Sequence, residues 1–133
     1  NAETPDINYG DYRILPGFLD IHTHGYAGWD TNDATEDGLR RWLKEIPQEG
    51  VTGICPTTIT QSHEVLLKAV KNIKTTAEKG YEGAEILGIH LEGPFLDLKY
   101  KGAQPEQFCR KPDVEEFKKL QPKRICLIDL TDA

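Results

Sequence analysis

The sequence predicts an α/β fold, a βαβαβαβ unit built on a parallel sheet. Short apolar segments alternate with amphipathic helical patterns along the chain, which implies right-handed crossovers between parallel strands. The apolar segments are near-continuous runs, as strands buried on both faces of a parallel sheet require. No second composition regime, internal repeat or low-complexity tract interrupts that order. The 133 residues suit one compact domain, about half of what a closed (β/α)8 barrel needs, typically ~250 residues.

The first strand is expected at 13–22, mostly apolar with an early break at Pro16-Gly17. The second, 51–59, is rich in β-branched residues; 84–91 and 124–130 are similar apolar runs. Between them, Leu39, Trp42, Leu43 and Ile46 make one apolar stripe on a helix over 36–48, with Thr35 as N-cap and Gly50 as stop. Val65, Leu66, Ala69, Val70, Ile73 and Ala77 repeat the pattern over 63–79, between Ser62 and Gly80. A third helix over 113–120 opens on a D-x-x-E capping box, Asp113 and Glu116, with Val114, Phe117 and Leu120 beneath it. Pro122 ends it. The long irregular stretch 93–111 follows the carboxyl end of a strand, where such folds bind ligands.

Composition narrows the function. Sixteen Lys+Arg stand against 22 Asp+Glu, a net charge of -6, which argues against a nucleic-acid surface. No apolar run approaches the ~20 residues of a membrane span, and the polar N-terminus does not read as a signal peptide. Cys55, Cys109 and Cys126 lack metal-type spacing and read as reduced thiols of a cytoplasmic protein.

Two constellations carry chemistry. In Asp20-Ile21-His22-Thr23-His24-Gly25, at the end of the first strand, His22 and His24 point to the same side and can converge on one metal ion. Gly25 then frees the backbone to turn away. The bland alternative is a half-buried histidine pair with satisfied hydrogen bonds. In Gly88-Ile89-His90-Leu91-Glu92-Gly93-Pro94-Phe95, at the end of the third strand, Glu92 would add an oxygen ligand on the same rim, a mixture suited to Zn or Fe. Its alternative is a carboxylate capping a loop. His90 reads as support behind the ligands.

PGFLDIHTHG, GIHLEGPFL and KGAQPE, in that order, resemble the N-acetylglucosamine-6-phosphate deacetylases of the amidohydrolase superfamily, from about Tyr12 to Gln121. The resemblance implies a (β/α)8 barrel, of which this unit resembles the first half. Residues 1–12 then read as the end of a preceding small β segment or linker, and 13–133 as a partial metal-dependent hydrolase barrel domain. It implies hydrolysis of the acetamido group of an amino-sugar phosphate with one or two divalent ions per complete site. Glu92 matches the family's metal-binding glutamate, and His22 and His24 match the pair present in members able to hold a second metal. Ala103 and Gln104 match the loop against the sugar; Gln104, where some members have histidine, reads as a substrate contact. Pro56-Thr57-Thr58 resembles the family's strand-two end, which implies that it shapes the pocket. Arg110 and Lys111 are either phosphate ligands or solvated basic residues. The complete enzyme is expected to be a homo-oligomer, a dimer.

The family's later histidine ligands have no match, since no histidine follows Glu92 beyond the strand that carries it. Thr131-Asp132-Ala133 resembles the family's last-strand segment; Asp132 is either the proton-shuttling carboxylate or a chance match at the terminus. The leading expectation is therefore a fragment of the deacetylase, inactive alone. Two alternatives stay open: a non-catalytic half-barrel that acts through association with itself or a partner, and a cyclic-amide amidohydrolase.

Overall fold

A computed structural model describes residues 7–120 and the backbone of 125–129. The elements run β1 (Phe18–Thr23), β2 (Gly25–Tyr26), β3 (Trp29–Asp30), α1 (Glu36–Glu45), β4 (Val51–Thr58), α2 (His63–Lys79), β5 (Glu85–Ile86), β6 (Ile89–Glu92), α3 (Val114–Leu120) and β7 (Ile125–Asp129). The sheet is parallel in the order β1-β4-β6-β7, with β5 also paired to β4. The α/β alternation expected from the sequence is thus present.

Its boundaries differ where local chemistry intervenes. β1 begins only after Pro16, which has no N–H for a ladder. The third expected strand is split at Leu87-Gly88 into β5 and β6. Pro47 cannot continue an α ladder, so α1 stops at Glu45 and passes into a 3-10 turn, Ile46–Glu49. Gly50, at φ 81°, closes that turn in the left-handed region. A short antiparallel ribbon, β2 with β3, was not expected and follows the histidine pair directly.

Leu39, Trp42, Leu43 and Ile46 are all buried, as their spacing predicts, against Ile54, Val70, Ile73, Ala84, Ile86, Ile89 and Leu91. Ser62 caps α2 by accepting from the Val65 N–H at 3.4 Å, whereas Thr35 makes no side-chain cap to α1. In the last turn of α2 the inward position falls on Thr76, and Ala77 is exposed. Asp113 caps α3 through the N–H groups of Glu115 and Glu116, but Glu116 turns away to Arg110 and His63. Val114 is exposed as well, so only Phe117 and Leu120 face inward.

The larger correction concerns β1. It is the edge of an open sheet, and Phe18, Leu19 and Ile21 are 70%, 63% and 53% exposed. Its apolar run is that of a doubly covered strand, yet among the described residues nothing buries these three side chains. Pro122 and the Thr131-Asp132-Ala133 segment lie outside the described residues.

Candidate metal centre

Three parallel strands deliver the site. β1 sets Thr23 beside Pro56 of β4, and β4 sets Thr57 beside His90 of β6. The carboxyl ends of β1, β4 and β6 therefore share one rim. His22 lies in β1, His24 just beyond it, and Glu92 closes β6. Their i, i+2 spacing sends both rings the same way. Both Nε2 atoms meet one carboxylate oxygen, His22 at 3.0 Å and His24 at 2.9 Å from Glu92 Oε2. The three ligand atoms lie within 4.8 Å of one another. The side chains are 49%, 40% and 22% exposed, so the cluster is open to an entering ion.

Thr57 organises the histidines. Its carbonyl accepts from His24 Nδ1 at 3.2 Å. A carbonyl only accepts, so Nδ1 carries the hydrogen and Nε2 is the atom that faces Glu92 Oε2, at 2.9 Å. In that position Nε2 serves either as a metal ligand beside the carboxylate or as a second N–H donating to it. Two imidazole nitrogens and one carboxylate oxygen fit a divalent transition ion. The Thr57 hydroxyl donates to the Cys55 carbonyl at 3.0 Å, accepts from the Thr23 N–H at 2.9 Å, and meets His90 Nδ1 at 3.3 Å. With its hydrogen committed to Cys55, it accepts from His90. His90 is buried, its ring edge-on to His22 at 4.5 Å. It lies against His22 on the buried side of the cluster.

Two glycines make room for the turns at the rim. A Cβ on Gly25 would lie 1.9 Å from the Trp29 carbonyl, so the need there is close approach within the β2–β3 ribbon rather than an unusual φ. Gly93, directly after Glu92, sits at φ 82°, and a Cβ there would lie 1.9 Å from Thr60 Oγ1.

The loop after β6 is anchored, not loose. Ala103 is exposed on a turn closed by the Gln104 N–H donating to the Lys101 carbonyl at 3.0 Å. Gln104 is buried, and its Oε1 accepts the Thr60 N–H at 2.8 Å. Arg110 is neither a free phosphate ligand nor solvated. It donates through Nε and Nη2 to Glu116, and through Nη1 to the carbonyls of Gln61 at 3.0 Å and Phe108 at 2.8 Å. His63 Nδ1 meets the same carboxylate at 2.9 Å. Arg110 therefore pins the loop between α2 and α3. Lys111 is exposed. Asp132 lies outside the described residues.

Sequence reasoning missed Thr60 and Asn32. Asn32 clamps Ile59 at the β4 exit, accepting its N–H at 2.9 Å and donating to its carbonyl at 3.1 Å. The signal was the hydroxyl-rich run Thr57-Thr58-Ile59-Thr60 at a strand exit.

The family model described as "Amidohydrolase family" matches residues 13–131. The chain belongs to the amidohydrolase family. Among curated relatives within it, the N-acetylglucosamine-6-phosphate deacetylase of Bacillus subtilis (strain 168) is 46% identical over 123 residues, covering 90% of this chain and 31% of that protein. The Homo sapiens deacetylase is 41% identical over 112 residues, covering 81% of this chain and 27% of its own length. In structure, the chain is similar to a mutant Mycobacterium smegmatis deacetylase solved in complex with N-acetyl-D-glucosamine-6-phosphate. The TM-score is 0.71 at 33% identity, over 80% of this chain and 27% of the other. The Thermotoga maritima deacetylase gives 0.68 at 30% identity, over 79% and 28%. This amidohydrolase chain thus spans roughly three tenths of the relatives it matches, 31% and 27% of the two named.

Proposed function

We propose that the chain is part of a metal-dependent deacetylase that converts N-acetylglucosamine-6-phosphate to glucosamine-6-phosphate and acetate. The observation that carries this reading is the convergence of both imidazole Nε2 atoms on one Glu92 oxygen, in a chain of this family. A bound divalent ion supplies Lewis acidity at that rim, polarising an amide carbonyl and lowering the pKa of water. The chain's own residues hold it there: His22 and His24 as neutral nitrogen donors, Glu92 as the anionic one. The Thr57 carbonyl keeps His24 in the tautomer whose Nε2 is free to donate. Ala103, exposed on its anchored turn, is the sugar contact that the likeness to the deacetylases supports. Zinc or iron, a cytoplasmic setting and a homodimeric whole enzyme belong to the same reading and rest on that likeness.

A chimera tests it. This segment replaces the matching part of the Bacillus subtilis relative, and acetate release from N-acetylglucosamine-6-phosphate is measured. Turnover lost on Glu92→Ala is expected. A folded but inactive chimera, or one that instead opens a cyclic amide, contradicts it.

A second reading has its own support. The bare apolar edge at Phe18, Leu19 and Ile21 suits self-association of this chain, since an open edge strand invites pairing.

A further inference from the structure

We propose that Gln104 is a positioning residue that acts through Thr60 on Glu92, tying the loop that carries Ala103 to the metal-binding carboxylate. The proposal rests on the metal centre described above and goes beyond it in giving the rim a mechanical link to the loop.

Three observations carry it. Gln104 is 7% exposed, and its side-chain oxygen is already used, accepting the Thr60 N–H at 2.8 Å. Thr60 is fully buried, and its hydroxyl donates to the Glu92 carbonyl at 3.3 Å. Gly93 leaves no gap behind that contact, because even one added carbon would lie 1.9 Å from Thr60 Oγ1. One buried threonine thus reads the loop with its N–H and holds the backbone of a ligand with its hydroxyl. Lys101 completes the loop side: Nζ donates to the Gln104 carbonyl at 3.2 Å, across the turn that exposes Ala103. On the other side, Asn32 grips Ile59, so the backbone at 59–60 has little freedom to absorb a change at Gln104. Removing either end of the link lets the Glu92 carboxylate wander from the lone pairs of His22 and His24. Partners placed this way behind a ligand typically change metal affinity by about 10–100-fold.

Cobalt(II) titrated into the 133-residue chain tests this through its visible ligand-field bands, which report affinity and coordination geometry without any turnover. Thr60→Val is expected to weaken cobalt binding at least about tenfold and alter the bands, while Thr60→Ser, which keeps the hydroxyl, restores both. Gln104→Met, of similar length without the carbonyl, is expected to weaken binding to a similar extent, and Gln104→Glu to restore it. The double variant should bind no worse than either single one, as members of one chain of contacts do. Should Thr60→Val fail to fold by circular dichroism, Gln104→Met against Gln104→Glu carries the test. A wild-type band left unchanged by Thr60→Val and Gln104→Met overturns this link alone; strictly additive losses do the same. A wild-type chain with no cobalt band overturns the metal centre itself, and this proposal with it.

Discussion

Thr57 meets each of its hydrogen-bonding needs within the site: a carbonyl on His24, and a hydroxyl on Cys55, Thr23 and His90. Thr57→Val keeps the carbonyl and the shape but orphans a buried imidazole N–H and a backbone N–H. Urea unfolding is expected to show a loss of about 1–3 kcal/mol, with Thr57→Ser close to wild type. An unchanged midpoint in Thr57→Val would contradict the role given to the hydroxyl. His22, His24 and Glu92 were legible in the sequence because imidazole and carboxylate at strand ends carry their chemistry with their spacing. Thr57, Thr60 and Gln104 were not, because a hydroxyl or amide acquires meaning only from the partner that folding brings to it. Gln104 illustrates the difference: its place in the motif marked it as important, but only its buried bond to Thr60 shows which way it faces.

The helices were legible because an apolar stripe at helical spacing needs no knowledge of partners. Leu43, fully buried between α1 and the sheet, is expected to lose about 2–5 kcal/mol on Leu43→Ala in the same unfolding measurement. Element ends were less legible, since Pro16 and Pro47 act on single hydrogen bonds and the split between β5 and β6 leaves no mark on hydrophobicity. The junction of α2, α3 and the loop makes a separate prediction. The Arg110 guanidinium holds the Glu116 carboxyl below its ordinary 4.5; desolvation opposes this and the His63 hydrogen bond adds to it. A carboxyl lowered on folding stabilises the protein above its unfolded value, and that gain disappears as pH falls through the lower folded value. Glu116→Gln should therefore cost about 1–2 kcal/mol at neutral pH. The gap from wild type should narrow as pH drops below 4.5. A gap that stays constant into acid would show that the ion pair contributes nothing.

Over the whole molecule, the composition of β1 and its surroundings disagree. Strand residues of a doubly covered sheet stand bare at the edge, with Tyr12, Ile14 and Leu15 exposed beside them in sequence. The burial that the sequence pattern announced is met for β4, α1 and α2, while β1 pairs with β4 and among the described residues leaves Phe18, Leu19 and Ile21 exposed. Sedimentation at micromolar concentration is expected to show concentration-dependent association of this chain, weakened by Leu19→Lys; a monomer in both would remove the second functional reading. Among the described residues, no helix is long and apolar enough to cross a membrane. What the fold does complete is one rim, and His22, His24 and Glu92 are its only described group of three or more residues able to hold a metal ion. Calorimetric titration of zinc into the wild-type chain and into Glu92→Ala is therefore the most direct measurement. A single saturable site per chain, weakened at least about a hundredfold in Glu92→Ala, is the expected result. Equal binding by the two chains, or none by wild type, would contradict it.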